Sequence, residues 1–309
     1  MVSVKSIELT EVGPREGFQF EGIGNPDKIS TENKARLVDA LSQTGVKTIE
    51  VTSFVHPKQV PQMADAEALS ELFEARPGVR YTALFLNDRG FERARATGKY
   101  ALEGALRTCA SETFALKNQK RTIAEDIEAQ RTQLALYQHF GIPTERVSVM
   151  AAFGCNYEGD IPLDRVISLI SVMLEMAEQA GENPPRITLA DTMGWADPEQ
   201  IKRTVDAIRT RWPDKEVGLH LHDTRGTGIA NVYAAMEMGV RRFDSSVGGL
   251  GGCPFAGVVA GNVSTEDIVF MCDRMGVETG VDLAAMVDCV KLAEDLVGHT
   301  LPSKVGHVM

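Results

Sequence analysis

The sequence has no run approaching the ~18 consecutive apolar residues that a membrane span needs, and it has no basic tract. Its five cysteines, Cys109, Cys155, Cys253, Cys272 and Cys289, are odd in number and scattered, with no CxxC pair among them. A disulfide framework and a thiolate zinc site are therefore not expected, and a reducing cytoplasm is the expected setting. Positive charge is in deficit: 32 Lys+Arg face 43 Asp+Glu, a formal net charge of −11 over 309 residues. A nucleic-acid backbone is not an expected partner on that balance. An anionic small molecule would need a local cluster of donors or a metal to hold it. The opening stretch from Met1 to Ile7 carries neither the apolar core of a secretory signal nor an Arg-rich transit helix. The closing Gly306-His307-Val308-Met309 matches no lipidation signal, so no membrane association is expected.

Hydrophobic residues make up 43% of the chain and charged residues 24%, a composition able to bury a core without staples. Apolar or β-branched runs recur at Ser6–Gly13, Thr48–Phe54, Arg80–Leu86, Ala105–Ser111, Arg146–Gly154, Arg186–Thr192, Glu216–Asp223 and Arg241–Val247. Between them lie longer stretches with helical spacing. Ser30-Thr31-Glu32-Asn33 opens one such helix, which runs to a stop near Gly45. Glu125–Phe140 is a second, ended by Gly141 and Pro143, and Asp197-Pro198-Glu199 caps a third. About eight strand–helix units in ~300 residues predict an α/β chain of the (β/α)8 TIM-barrel class, with Asp282–Val297 as an additional C-terminal helix. An open doubly wound sheet would carry a Gly-rich phosphate turn after its first strand. Here that turn reads Gly13-Pro14-Arg15-Glu16-Gly17. No composition break marks a linker, so a single domain over residues 1–309 is expected.

In such a barrel the functional groups come from the C-terminal strand ends and the loops after them. Unusual polar residues collect at those points: Glu11, Arg15 and Glu16 after the first run, Glu50 in the second, and Asp191 after the sixth. His220 and His222 close the seventh, and a loop of four glycines leads to Cys253, followed by Asn262. Residues two apart on a strand project to one face, so both imidazoles can point into the barrel mouth and bind a divalent metal. A packed or solvated histidine is the bland alternative for an isolated HxH pair. Glu16, Asp191 and Asn262 at the same rim favour the metal. Arg15 is placed to clamp a carboxylate or an enolate oxygen, or else to form an ordinary rim salt bridge with Glu11 or Glu50. Asp191 reads equally as a catalytic or a supporting carboxylate. Cys253, in its Gly-rich setting, is a candidate to give or take a proton, whereas Cys109, Cys272 and Cys289 read as packing residues.

These residues carry a family resemblance. Glu11-Val-Gly-Pro-Arg15, Thr52-Ser-Phe-Val-His-Pro-Lys58, Ala110-Ser-Glu-Thr-Phe114, Asp191-Thr-Met-Gly194, His220-Leu-His-Asp-Thr224 and the stretch from Asp244 to Ala256 with its Gly-Leu-Gly-Gly-Cys-Pro core resemble the 3-hydroxy-3-methylglutaryl-CoA lyases. The resemblance covers nearly the whole chain. It implies a metal-dependent barrel lyase that performs retro-Claisen cleavage of a 3-hydroxy-3-substituted-glutaryl-CoA to acetyl-CoA and a 3-oxo acid. It further implies Mg²⁺ or Mn²⁺ held by Glu16, His220, His222 and Asn262, with Arg15 stabilising the enolate and Cys253 protonating it. Glu50 and Asp191 hold the network, and His220 is the candidate proton shuttle. The partner implied is an acyl-CoA thioester, the assembly a homodimer, and Asn87, Lys58 and Lys117 are candidate contacts to the nucleotide and phosphates. Two departures from the family pattern, Glu16 where the family has Asp and Val258-Val259-Ala260 in the glycine loop, point to a longer or bulkier substituent at C3. The rival readings are a condensing acyltransferase using acetyl-CoA and a 2-oxo acid, and a non-catalytic barrel.

Overall fold

The computed structural model describes residues 4–25, 27–252 and 261–309. Strand–helix alternation runs through it, with β1 at Glu8–Glu11, β2 at Thr48–Ser53, β3 at Arg80–Leu84 and β4 at Gly104–Cys109. β5 follows at Thr144–Met150, β6 at Arg186–Ala190, β7 at Glu216–His220 and β8 at Arg242–Ser245. The helix starts follow from local chemistry. Ser30 accepts from Asn33 N ahead of the helix Thr31–Leu41, and Thr122 with Glu125 forms a capping box for Ile123–His139. Asp197 accepts from the amides of Glu199 and Gln200, with Pro198 at the first helical position of Pro198–Arg211. Each supplies an acceptor to amides that have no partner inside the helix. The C-terminal helix expected from the sequence spans Leu283–Val297, capped by Asp282. No described helix is long and apolar enough to cross a membrane.

The chain divides into two compact units. The continuous unit is built on Glu103–Arg242, with strands in the order β7-β6-β5-β4. All three adjacent pairs are parallel: Arg107 lies opposite Ser148, Ser148 opposite Thr188, and Thr188 opposite Gly218. Leu106 and Val147 pack outward on Leu134, Met173, Met176 and Ala177 of the covering helices. Alternation then turns Arg107, Ser148, Thr188 and His220 to the opposite face of the strands.

The split unit joins Lys5–Leu102 to Phe243–Met309. Its strands follow the order β3-β2-β1-β8, and β2 is parallel to both β1 and β3. Val12 N donates to Ser245 O at 2.9 Å, joining the ends of β1 and β8. The core of this unit includes Leu37, Leu41, Ile49, Val51, Phe91 and Val290, all fully buried.

Candidate functional site

In the split unit the candidate residues gather where β1, β2 and β8 end. After β1, residues Gly13–Gly17 form one wide helical turn with Pro14 in its first positions. That turn carries Arg15 and Glu16. The Arg15 guanidinium meets Glu50 Oε2 through both Nε and Nη2 at 2.5 Å, and Nη2 lies 3.3 Å from Glu16 Oε2. Burial pulls the Arg15 pKa down, but Glu50, Glu16 and Asp244 outweigh it and hold it above the usual arginine value. Arg15 is thus a fixed cation whose partner is Glu50, one of the two acids anticipated for it.

Glu11, the other, is spent differently. Its Oε1 accepts from Gly13 N at 2.8 Å and Val247 N at 3.0 Å, and its Oε2 accepts from Thr265 Oγ1 at 2.7 Å. The side chain is wholly buried, and desolvation pushes its pKa up to about 7 despite those three donors. It ties the Arg15 turn to the loop after β8. Asn262 belongs to the same loop system: it is buried, and its Nδ2 donates to Leu250 O at 3.1 Å. Glu266 was given no role by sequence reasoning. Its Oε2 accepts from Gly248 N at 3.2 Å, and burial raises its pKa to about 8. Cys253 lies outside the described residues.

In the continuous unit, His220 and His222 sit at the end of β7 with their Nε2 atoms 3.1 Å apart. The spacing suits a shared ion, because two ligands at about 2.1 Å from a metal and 90° apart are separated by about 3 Å. His222 is buried and His220 half-buried. Asp191, at the end of β6, is fully buried, and both of its oxygens are committed. Oδ1 accepts from Trp195 N at 2.7 Å and Oδ2 from Ala196 N at 3.0 Å. Burial raises the Asp191 pKa against those amides and against His222 and Arg225. Its geometry is that of a carboxylate holding a loop.

Three residues that sequence reasoning missed stand beside Asp191. Arg225 stacks over the Trp195 ring at 4.9 Å, and both donate to Asn156 Oδ1, at 2.9 Å and 2.8 Å. Only the position of Trp195 four residues after a candidate acid hinted at them. Cys155, left open by the sequence, is buried and donates to Ser111 Oγ at 3.1 Å, which makes it structural.

The split unit also contains a cleft of about 400 Å³ lined by the residues after β2 and β3, among them Phe54, His56, Lys58, Asn87, Arg89 and Arg93. Arg93 is held by both Glu67 oxygens at 2.6 and 2.8 Å, and Asn87 caps the following helix through Gly90 N. Lys58 and Arg89 are exposed at its edge. Lys117, the third candidate contact, lies in the continuous unit over the Tyr157 ring.

Against known proteins, residues 6–293 match the model of the HMGL-like family. The chain belongs to the HMGL-like family. It is similar to the hydroxymethylglutaryl-CoA lyase structure from Bacillus subtilis, with 38% identity and a TM-score of 0.89, covering 100% of this chain and 99% of that one. An HMG-CoA lyase from Acinetobacter baumannii, solved in complex with coenzyme A and 3-methylmalate, matches at 36% identity and a TM-score of 0.86, covering 100% and 96%. The (R)-citramalyl-CoA lyase of Chloroflexus aurantiacus is 38% identical over 314 residues, 98% of this chain and 95% of that protein. The fold is therefore the (β/α)8 TIM barrel anticipated from the strand count, and the protein is a carbon–carbon lyase. His220, His222, Arg15, Glu16, Asp191 and Asn262 each stand at a C-terminal strand end or in the loop beyond it, where such barrels carry their chemistry, and Glu50 lies within β2.

Proposed function

We propose that this lyase performs retro-Claisen cleavage of a 3-hydroxy-3-substituted-glutaryl-CoA, yielding acetyl-CoA and a 3-oxo acid. The observation that carries the reading is the 3.1 Å approach of the His220 and His222 Nε2 atoms at the end of β7, in a chain of the HMGL-like family. Two imidazoles turned nitrogen to nitrogen at this spacing support a ligand role over a packing one. Glu16, His220, His222 and Asn262 are the proposed donors, a nitrogen–oxygen set that suits Mg²⁺ or Mn²⁺. A divalent cation held there would acidify the substrate's C3 hydroxyl and neutralise its carboxylate.

The chain's own groups supply the rest. His220 is the proposed acceptor of the hydroxyl proton, and in taking it up the ring would give up its place as a donor, leaving Glu16, His222 and Asn262 to hold the cation. The oxygen's electron pair forms the C3 carbonyl as the C2–C3 bond breaks, and that bond's electrons pass to C2 as the acetyl-CoA enolate. Arg15, already oriented by Glu50, presents fixed donors to the enolate oxygen, so no reorganisation is needed as the charge develops. Cys253 then gives C2 its proton, the role the resemblance implies for it. Asp191 works at one remove, by fixing the loop after β6 through Trp195 and Ala196.

The coenzyme A portion is assigned to the cleft after β2 and β3, where Lys58 and Arg89 can meet its phosphates in an otherwise acidic protein. A homodimer working in the cytoplasm completes the reading.

The test is mass detection of acetyl-CoA from a panel of 3-hydroxyacyl-CoA thioesters, with and without EDTA. Acetyl-CoA release that chelation abolishes and Mg²⁺ or Mn²⁺ restores is expected. Release of free CoA from acetyl-CoA plus pyruvate or 2-oxoglutarate, with no cleavage of any thioester, would replace this reading with a condensing one. A protein without either activity and indifferent to EDTA would be a silent barrel.

A further inference from the structure

Arg15 is anchored at its far end, where its guanidinium meets Glu50. Its near end depends on backbone that cannot hold itself. The turn Gly13–Gly17 runs without a break into the four-residue helix Phe18–Glu21, with Phe18 N donating to Arg15 O. A helix that short lies far below the length of about 12 residues at which isolated helices become marginal in water. Its last carbonyls also lack partners inside it. Ile23 N, which would reach Gln19 O if the helix continued, donates to Phe20 O instead at 3.1 Å. The segment must therefore be held from outside.

Gln62 is placed to do so. It is buried, and its side-chain Nε2 donates to Gln19 O across 43 positions of sequence. Gly22 makes room for it, because a Cβ there would overlap the Gln62 side chain. The donor is fixed in turn. Lys34, whose side chain is only 4% exposed, donates to Gln62 O at 2.7 Å and to the two Asp65 oxygens at 2.9 and 2.8 Å. Thr31 Oγ1 gives Asp65 a further donor at 2.9 Å. A buried ammonium is tolerated only with such partners, so the backbone at Gln62 cannot drift without unpairing a charge. On its other side the turn abuts the loop after β8. A Cβ on Gly17 would overlap the Leu250 side chain, and one on Gly251 would stand 3.2 Å from Gly17 N. The turn that carries Arg15 is thus gripped between Leu250–Gly251 and a brace that runs Asp65–Lys34–Gln62–Gln19.

We infer that Gln62 is a positioning residue for Arg15: its side-chain amide holds the helix Phe18–Glu21, and through it the turn that aims the guanidinium. Donors to a developing oxyanion act within about 2.7–3.1 Å of it, and a misplacement of about 1 Å can cost on the order of 10²-fold in rate. The inference rests on the role proposed for Arg15 in the lyase reaction.

Gln62→Met keeps the length of the side chain and removes the donor. With 3-hydroxy-3-methylglutaryl-CoA, or the C3 homologue that the wild type cleaves fastest, kcat for acetyl-CoA release is expected to fall about tenfold. KM is expected to stay within about twofold, because the cleft assigned to coenzyme A takes its lining on this loop from Phe54 to Lys58 and not from Gln62. In an Arg15→Lys background the same substitution is expected to cost less than about twofold, since a guanidinium that is absent cannot be misaimed. A purely structural brace would cost the same factor in both backgrounds. Independently of turnover, hydrogen exchange read by mass spectrometry is expected to quicken in peptides covering residues 13–23 of the Gln62→Met protein and to stay unchanged in β2 and β3. Wild-type kcat in Gln62→Met, an equal loss in both backgrounds, or unchanged exchange at 13–23 overturns the inference while leaving the lyase intact. Arg15→Met at wild-type kcat removes the role of Arg15, and no acetyl-CoA from any thioester removes the lyase reading; either result takes the inference with it.

Discussion

A carboxylate is defined by what its oxygens touch, and Glu11 and Glu50 illustrate the difference. Glu50 spends its charge on Arg15. Glu11 spends its oxygens on Gly13, Val247 and Thr265, and burial raises its pKa from 4.5 to about 7. A raised carboxyl pKa means that the folded state holds its proton more tightly than the unfolded chain. The resulting stabilisation is complete below about pH 4.5 and is lost as pH rises through 7. Glu11→Gln keeps the shape and removes the titration. The stability of the wild type relative to that variant, from urea unfolding, is therefore expected to fall by about 3 kcal/mol between pH 4.5 and pH 8. A difference that stays constant with pH would show that Glu11 does not titrate in this range. Sequence alone set Glu11, Glu16, Glu50 and Asp191 at strand ends and offered Glu11 and Glu50 alike as partners for Arg15. Their roles separate only through partners such as Thr265, 254 positions from Glu11, and no local pattern encodes a contact at that distance.

The elements were more legible than the contacts. All eight strands form where apolar and β-branched runs stand between helical stretches, but each expected run overshoots its strand at the C-terminal end: Phe54 against Ser53, Gly154 against Met150, Asp223 against His220. The cause is that burial continues after the ladder stops. Phe54, Ala110, Ala151 and Leu221 are buried loop residues, so hydrophobicity cannot mark the end of pairing. The short hairpin pairing Gly154–Cys155 with Gly159–Asp160 was missed because two-residue strands have no period. The loop after β8 is held at Gly248, a constraint that its run of glycines does not by itself reveal. Gly248 has φ +66°, and a Cβ there would overlap the Leu301 side chain. Gly248→Ala therefore carries two penalties, left-handed backbone and overpacking, together about 3 kcal/mol. Gly141, at φ +65° with nothing within 4 Å of an added Cβ, carries only the first, about 1 kcal/mol. Urea midpoints should fall in that order with m unchanged. Equal losses would mean that Leu301 yields freely and the loop is not held from that side.

At the scale of the whole molecule, a chain of net charge −11 has to attract a polyanionic thioester, so the distant field and the local cleft oppose each other. Composition made the first legible. The second depends on β2 and β3 being neighbours, which brings Lys58 and Arg89 to one cleft from positions 31 residues apart. Salt separates the two contributions, because raising ionic strength from 0.01 to 0.15 M shortens the Debye length from about 30 Å to about 8 Å. Over that range the repulsion from remote acids is screened for any variant of the protein. Only an enzyme that retains the cleft cations also loses attraction. The advantage in kcat/KM of the wild type over a Lys58→Ala/Arg89→Ala double variant is therefore expected to be largest at 0.01 M and to shrink steadily towards 0.15 M, with most of the change in KM. An advantage that does not vary with salt would mean that these two cations act through packing, and the coenzyme A phosphates would then have to be sought at another cluster.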